Sequence, residues 1–261
     1  MSFPFEMAVD PTTLLLLALV AFIAGFIDAI AGGGGLLTIP ALLTTGLPPH
    51  LVLGTSKLCA TFGSGTASYA FYRRKLFTPA KWRNAMVGTA IGAIAGAVLV
   101  HWMPAEWLNQ MLPVVVFACG LYLLFSRTPT APVNSDAPIA RRRQWPQGFT
   151  LGFYDGVAGP GTGAFWTVST LLLYPLDLLR ASGVARTMNF VSNITALVVF
   201  IIGGQVAWVL GLSMGVALMA GAFLGARTAI SGGSKFIRPV FILVVLALTA
   251  RLVWQHWFGQ A

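Results

Sequence analysis

Two glycine-rich segments carry the clearest sign of chemistry in this sequence. They contain Gly32, Gly33, Gly34 and Gly35 in the first and Gly159, Gly161 and Gly163, with Pro160, in the second. Glycine permits unusual backbone angles and proline ends the preceding helix, so both segments predict helix breaks. Two helix N-termini that face each other can hold an anion through backbone N–H groups. Close packing of helices is the alternative explanation for these glycines.

A short apolar run follows each glycine segment, and a cation lies near the start of the helix after that run, Lys57 in the first half and Arg186 in the second. The two positions are equivalent to within about one residue if the second half carries a three-residue insertion. Such a pair suits a doubly charged oxyanion, whereas snorkelling to lipid headgroups is the alternative. The predicted substrate-binding set consists of these cations and the glycines together with Ser56, Thr162, Asn189 and Asn193, with Thr61, Ser64 and Ser192 as further neutral donors.

Asp28 and Asp155 precede the two glycine segments. Each carboxylate has three interpretations: a proton carrier that couples proton movement to transport, a cap for the broken helix, or a counter-ion to Lys57 and Arg186. No grouping of nucleophile, histidine and carboxylate has catalytic spacing, and no heme or metal pattern occurs. We therefore expect no enzymatic activity, no catalytic residue, no metal and no cofactor. Cys59 and Cys119 lie inside apolar runs, where free cysteine behaves as a small hydrophobe.

The composition places these residues in a membrane protein. Hydrophobic residues make up 57% of the 261 positions and charged residues only 9%, whereas soluble domains carry about 25% charged residues. The net charge of +9 does not indicate nucleic-acid binding, because most basic residues fall in three short polar stretches. These stretches are Arg73, Arg74, Lys75, Lys81 and Arg83; Arg127, Arg141, Arg142 and Arg143; and Arg227, Lys235 and Arg238. They follow the positive-inside rule and predict cytoplasmic loops.

Candidate transmembrane helices lie near residues 12–31, 51–72, 84–103, 107–126, 147–162, 182–202, 206–226 and 239–258. The segment at residues 147–162 is short, and an earlier start is left open for it. Two shorter apolar runs, residues 36–45 and 164–174, each follow a glycine segment. If both short runs cross the membrane, all three basic stretches lie inside and both termini lie outside. We therefore predict five plus five crossings.

The sequence also repeats itself. GFIDAIAGGGG at residues 25–35 matches GFYDGVAGPGT at residues 152–162 with an offset of 127, which pairs Asp28 with Asp155. The predicted fold is an all-α polytopic membrane protein with two inverted repeats, made of eight long helices and two short broken ones. The predicted units are residues 1–126, a cytoplasmic linker at residues 127–146, and residues 147–261.

The segment GFIDAIAGGGGLLTIPALLTTGLPP followed by GTSKL, with GFYDGVAGPGTG and RTMNFVSN in the second half, resembles the sulfite exporter TauE/SafE family. The resemblance covers about residues 14–257 and implies transport of small sulfur-containing anions across the bacterial cytoplasmic membrane. It implies a central region of the first glycine segment, Lys57, Asp28, Asp155, Gly159 and residues 189–193. One departure is Ser56, where the family leads us to expect asparagine.

We therefore expect a secondary transporter that exports sulfite, thiosulfate or an organosulfonate by alternating access, with one half rocking against the other. An inside-negative potential drives anions outward by about 2.3 kcal/mol per charge per 100 mV. The expected partners are the small sulfur anion and the lipid bilayer. The alternatives are a channel-like anion facilitator and a membrane-embedded sulfur-relay or binding subunit.

Overall fold

The computed structural model describes residues 10–125 and 140–232, and these residues are almost entirely helical. They form nine α-helices in the order α1 (Pro11–Ala31), α2 (Gly35–Leu43), α3 (Pro49–Arg73), α4 (Arg83–Trp102), α5 (Ala105–Phe125), α6 (Arg141–Val157), α7 (Thr162–Leu173), α8 (Leu178–Ile202) and α9 (Trp208–Gly232). Each apolar segment predicted before residue 233 corresponds to one of these helices. The last predicted segment, residues 239–258, lies outside the described residues.

The helix boundaries differ most at α6, which begins at Arg141 rather than near residue 147. The predicted linker of residues 127–146 therefore includes the first part of a helix. The physical reason is that arginine and glutamine favour helix but not a hydrocarbon environment, so an apolar window does not detect this polar turn.

The surface and the interior have the polarity expected of a membrane protein. Four helices, α1, α4, α8 and α9, are long and apolar enough to cross a bilayer by length and composition. Large hydrophobic side chains are exposed along them, including Leu15 at 70% and Ile202 at 82%. Two cationic side chains are buried within the bundle instead, Lys57 at 3% exposure and Arg186 at 0%. This inverted distribution places the polar chemistry inside the helix bundle.

Helices α6 and α7 form a hairpin that enters and leaves at one end of the bundle. Near the start of α6, Arg143 donates a hydrogen bond of 3.3 Å to the Leu173 carbonyl at the end of α7. One turn further, Gln147 donates 2.8 Å to Ser169 Oγ. Gln144 also donates 2.8 Å to the Lys81 carbonyl, which places the first two basic stretches at this end. We call it the basic end.

Helices α1 and α2 form a second hairpin, which opens toward the opposite end. Ala207 N donates a hydrogen bond of 3.0 Å to Thr55 Oγ1, and Cys59 Sγ donates one of 3.4 Å to the Gly211 carbonyl. Because the residue numbers rise together along both helices, α9 runs parallel to α3. Helix α1 runs parallel to α9, with Gly221 against the Phe22 carbonyl and Gly225 against the Phe26 carbonyl. Because α3 starts at the end opposite the basic end, α2 must return there to connect with it.

The prediction of ten crossings stays a prediction, and the hairpins bear on it. Helix α2 has nine residues and α7 has twelve, which give lengths of about 13 and 18 Å, against a hydrocarbon core of about 30 Å. Neither short helix has the length of that core, and each hairpin returns the chain to the end from which it came. A hairpin that returns to its starting end and a pair of full crossings both leave the next loop on the same side. The basic stretches at residues 73–83 and 141–143 therefore still share one end, whereas Lys235 and Arg238 lie outside the described residues.

Contacts in the first half recur in the second at fixed offsets. The contact of Gly92 with the Phe149 carbonyl corresponds to the contact of Gly221 with the Phe22 carbonyl. In the same way, the contact of Gly54 with the Gln205 carbonyl corresponds to the contact of Gly183 with the Leu76 carbonyl. Corresponding residues of the two halves differ in number by 127 before the loop that follows each short helix and by 129 after it. The second half therefore has an insertion of two residues in this loop rather than the three that we predicted. The left-handed Lys75, at φ 57°, likewise corresponds to Gly204 at φ 66°.

A seam of glycines joins α4 to α6. Glycines recur every fourth residue on both helices, at Gly88, Gly92 and Gly96 and at Gly148, Gly152 and Gly156. At Gly152 an added Cβ meets the Thr89 carbonyl, and at Gly156 it meets the Ala93 carbonyl. Backbone contact this close requires the absence of side chains on both sides. Because α4 belongs to the first half and α6 to the second, the seam joins the two halves.

Replacement of a seam glycine is expected to destabilise the protein. In Gly92→Val the new side chain meets the Phe149 carbonyl, and forced separation of well-packed helices costs about 1–3 kcal/mol. Thermal unfolding in detergent should show a lower midpoint for this variant. Val98→Leu adds a methylene on the exposed face of the same helix and serves as the control. Equal midpoints for the two variants would contradict the assignment of this seam.

Candidate functional site

The tips of the two hairpins meet inside the bundle. Gly32, which follows α1, has φ 87°, and Gly159, which follows α6, has φ 89°, a left-handed conformation that favours glycine. Ala164 N donates 3.3 Å to the Gly32 carbonyl, and a Cβ on Gly163 would lie 2.8 Å from Gly32 Cα. The two glycine segments therefore touch through backbone atoms, and side chains at these positions would separate them.

Two ion pairs cross between the halves at this point. Lys57 Nζ lies 2.9 Å from Asp155 Oδ1 and also donates to the Asp155 main-chain carbonyl. Arg186 Nη1 lies 3.9 Å from Asp28 Oδ2 and donates to the Asp28 main-chain carbonyl. Each cation thus binds both a carboxylate and a carbonyl near the end of the broken helix of the other half. Backbone groups at helix breaks need such partners where water is scarce.

The same carboxylates contact the first residues of the short helices. Asp28 Oδ1 accepts a hydrogen bond of 3.0 Å from Gly34 N at the start of α2. Asp155 Oδ1 accepts one of 2.9 Å from the side-chain hydroxyl of Thr162 at the start of α7. The interpretations as counter-ion and as cap therefore coincide in Asp28, whereas Asp155 is a counter-ion that binds no backbone N–H of α7 among the described residues. The proton-carrier interpretation stays a prediction.

A cavity of about 30 Å³ lies between the hairpin tips. Most of the predicted site residues line it: Asp28, Gly32, Gly34, Gly35, Ser56, Lys57, Asp155, Gly159, Gly161, Thr162, Asn189 and Asn193. Gly33 and Arg186 are not among the lining residues. The Arg186 guanidinium lies behind the glycine contact, where Nη2 donates 3.4 Å to the Gly163 carbonyl. Their predicted contact with substrate stays a prediction.

The cavity wall includes residues that sequence reasoning missed, notably Thr38, Leu53, Ala60 and Leu218. Thr38 Oγ1 lies 3.4 Å from Ser56 Oγ and so adds a hydroxyl to the site. Its position one turn after Gly34 could have identified it, since residues four apart share a helix face. Leu218 is an apolar residue in an apolar helix, α9, and gives no such signal.

Three of the proposed neutral donors are occupied within their own helices. Thr61 donates 2.7 Å to the Lys57 carbonyl, Ser64 2.5 Å to the Ala60 carbonyl, and Ser192 3.1 Å to the Met188 carbonyl. None of the three lines the cavity. Asn193 Nδ2 also bonds within its helix, 2.7 Å from the Asn189 carbonyl, although both asparagines reach the cavity wall.

The resulting site combines one ammonium group, several hydroxyls and two amides around a small space between two helix N-termini. This donor set suits an oxyanion, because charge-assisted and neutral hydrogen bonds can reach its several oxygens. Within residues 10–125 and 140–232, no cluster of three His, Cys, Asp or Glu side chains could hold a metal ion.

Removal of the Arg186 charge is expected to destabilise the hairpin contact. Arg186→Gln leaves Asp28 without its buried counter-ion, and loss of one partner of a buried pair costs about 3–5 kcal/mol. Unfolding in detergent should show this loss, and Asp28→Asn with Arg186→Gln should cost less than the sum of the single changes. Strictly additive effects would contradict the coupling of these two residues.

Comparison with known proteins assigns most of the chain to one family of membrane proteins. Residues 17–252 match the family described as sulfite exporter TauE/SafE. The chain is 39% identical over 265 residues to the probable membrane transporter protein YfcA of Escherichia coli K12, covering 97% of this chain and 96% of that protein. It is 41% identical over 246 residues to the probable membrane transporter protein ORF9 of Sinorhizobium sp., covering 92% of each.

A third relative, a probable membrane transporter protein of Haemophilus influenzae, is 38% identical over 252 residues, which cover 94% of this chain and 96% of the relative. No solved structure matches the chain at a significant level. The family is described as an exporter and these relatives as probable membrane transporters, and the chain is accordingly a multi-pass protein of the bacterial inner membrane. Its match over most of its length shows that it belongs to the sulfite exporter TauE/SafE family.

Proposed function

We propose that this protein is a secondary transporter that moves a small sulfur-containing oxyanion, of the sulfite type, out of the cell by alternating access. The observation that carries this proposal is the meeting of two hairpin tips around a cavity lined by Lys57. One hairpin opens toward the basic end and the other toward the opposite end. A site between them can be reached from either side in turn without a continuous pore.

The two halves, we propose further, are inverted repeats. The recurring contacts at offsets of 127 and 129 support this arrangement, as do the opposite directions in which the hairpins open. In such proteins substrates bind near the midplane at the interface of the repeats, where broken helices present their N-termini. The basic end is the cytoplasmic end in this proposal, in agreement with the positive-inside rule.

The glycine seams favour motion of the hairpin tips over rocking of whole halves. The α4–α6 seam joins the two halves, and α1 packs against α9 in the same manner. Separation of the halves would open both seams. Movement of α2 or α7 leaves them intact, so these short helices are the proposed gates to the two sides.

The cavity favours a small inorganic anion over an organosulfonate. Its volume of about 30 Å³ accommodates about two water molecules, and a carbon chain beside the sulfur group needs more room. The anion in this proposal lies against Lys57 Nζ, with the hydroxyls of Ser56, Thr38 and Thr162 as further donors. The sulfur preference itself rests on the family, because the same donors can bind other oxyanions.

Two alternatives receive less support. A channel-like facilitator needs an open path, whereas the hairpin tips are in backbone contact through Gly32 and Gly163. A sulfur-relay subunit needs an accessible thiol, whereas Cys59 and Cys119 are buried and neither lines the cavity.

Uptake into sealed proteoliposomes tests the transport proposal. We expect saturable uptake of radiolabelled sulfite and thiosulfate, slower uptake of sulfoacetate, and no competition from acetate or chloride. Preloaded unlabelled sulfite should accelerate uptake by counterflow, which a channel does not show. Absence of uptake of all three sulfur anions by folded protein would refute the proposal.

Lys57→Gln is expected to reduce sulfite uptake about tenfold or more, because a hydrogen bond to a charged group contributes about 1.5–3 kcal/mol. Lys81→Gln removes an exposed lysine at the basic end, away from the cavity, and should transport as the unmodified protein does. Initial rates in proteoliposomes with matched protein content compare the two. Equal rates in both variants would exclude Lys57 from substrate binding.

A further inference from the structure

The two crossed ion pairs occupy corresponding positions but are not equivalent. Both members of the first pair, Lys57 and Asp155, line the cavity, whereas only Asp28 of the second pair does. Arg186 is held by the carbonyls of Asp28 and Gly163 behind the hairpin contact. The cation of the first pair can therefore meet a substrate directly, whereas the cation of the second pair supports the backbone.

The charges around the cavity leave no excess for an anion. Lys57 and Arg186 supply two positive charges, and Asp28 and Asp155 supply two negative charges when all four are ionised. An added oxyanion would leave a net negative charge in a buried space, which is costly. Neutralisation of one carboxylate by a proton lowers that cost by one charge and frees a cation for the anion.

Asp155 is the carboxylate whose geometry suits a proton. Its Oδ1 already accepts from Lys57 at 2.9 Å and from Thr162 at 2.9 Å, whereas its buried Oδ2 has no hydrogen-bond partner among the described residues. A proton on Oδ2 therefore breaks no existing hydrogen bond. Asp28 differs, because its Oδ1 caps α2 at Gly34 and its Oδ2 faces Arg186.

The other groups near Asp155 do not replace it in this role. Across the cavity, α1 presents Asp28, α3 presents Lys57, and α8 presents only the neutral Asn189 and Asn193 beside the more remote Arg186. The neighbouring Tyr154 donates its hydroxyl proton 2.5 Å to the Pro160 carbonyl and lies 2.8 Å from Cys119 Sγ. Helices α2, α7 and α9 contribute no ionisable side chain to the cavity wall.

We propose that Asp155 binds a proton at Oδ2 when the substrate anion binds Lys57, so that the protein moves one proton together with each anion. This inference rests on the proposed function and specifies its coupling. The proton comes from the solution on the loading side, and Lys57 exchanges its contact with the carboxylate for one with the anion. When the anion is released on the other side of the membrane, the proton dissociates into the solution on that other side, and the Lys57–Asp155 pair forms again.

Proton movement can be measured directly in proteoliposomes that contain a trapped pH-sensitive dye. Thiosulfate is the preferred probe, because its charge does not change near neutral pH and any proton movement belongs to the protein. We expect external thiosulfate to acidify the lumen, and an inward proton gradient to accelerate thiosulfate uptake. Thiosulfate uptake without acidification would overturn the proposal while leaving the transport function intact. Absence of uptake of any sulfur oxyanion would instead refute the proposed function itself.

Asp155→Asn tests whether Asp155 is the residue that binds the transported proton. The variant lacks the titratable oxygen, so its uptake should proceed at the same rate with and without a pH gradient, whatever that rate is. A persistent gradient response would exclude Asp155 as the proton site. Where Asp155→Asn does not fold, Asp155→Glu keeps a titratable oxygen, and the gradient response should remain with a shifted pH midpoint. An unchanged pH profile in Asp155→Glu would also contradict the assignment.

Discussion

Broken helices inside a membrane leave backbone groups that need partners, and this requirement organises the bundle. The two hairpins meet at Gly32 and Gly163, where the absence of side chains lets backbone atoms touch directly. Lys57 and Arg186 then reach across to the carbonyls of Asp155 and Asp28. Water is scarce at this depth, so the partners must come from the protein.

The same contact explains why each half depends on the other. The cation of one half binds the carboxylate of the other, and the glycine seam between α4 and α6 joins them again. Neither half contains a complete set of partners for its own break. At their tips the short helices contact these carboxylates, because Gly34 N donates to Asp28 and Thr162 Oγ1 donates to Asp155. Helix α7 is also held to α6 along its length by the hydrogen bonds of Gln147 and Arg143.

Much of this arrangement could be predicted from residue types. Long apolar segments gave the helices, and the match between residues 25–35 and residues 152–162 identified the two breaks and their aspartates. The ion pairs could be named only as one of three possibilities, because a sequence does not show which carboxylate faces which cation. The hairpins were not predicted for a related reason. The positive-inside rule gives the same side for each basic stretch whether the two helices of a pair cross the membrane or return as a hairpin.

Other features depend on three-dimensional neighbours that carry no local signal. Arg186 and Lys57 occupy corresponding positions, yet only Lys57 reaches the cavity, because the Gly32–Gly163 contact covers Arg186. Leu218 forms part of the cavity wall through the packing of α9, which no pattern in its own helix reveals. Thr61 and Ser64 were plausible donors by type, but their hydroxyls bond within α3.

The central claim is that an oxyanion binds between the two hairpin tips, beside Lys57. Selenite has the shape and charge of sulfite and contains an anomalous scatterer, so diffraction from crystals grown with it can locate the anion directly. We predict an anomalous peak within hydrogen-bonding distance of Lys57 Nζ, between the glycine segments, and none in crystals of Lys57→Gln. A peak elsewhere, or an unchanged peak in that variant, would contradict the account.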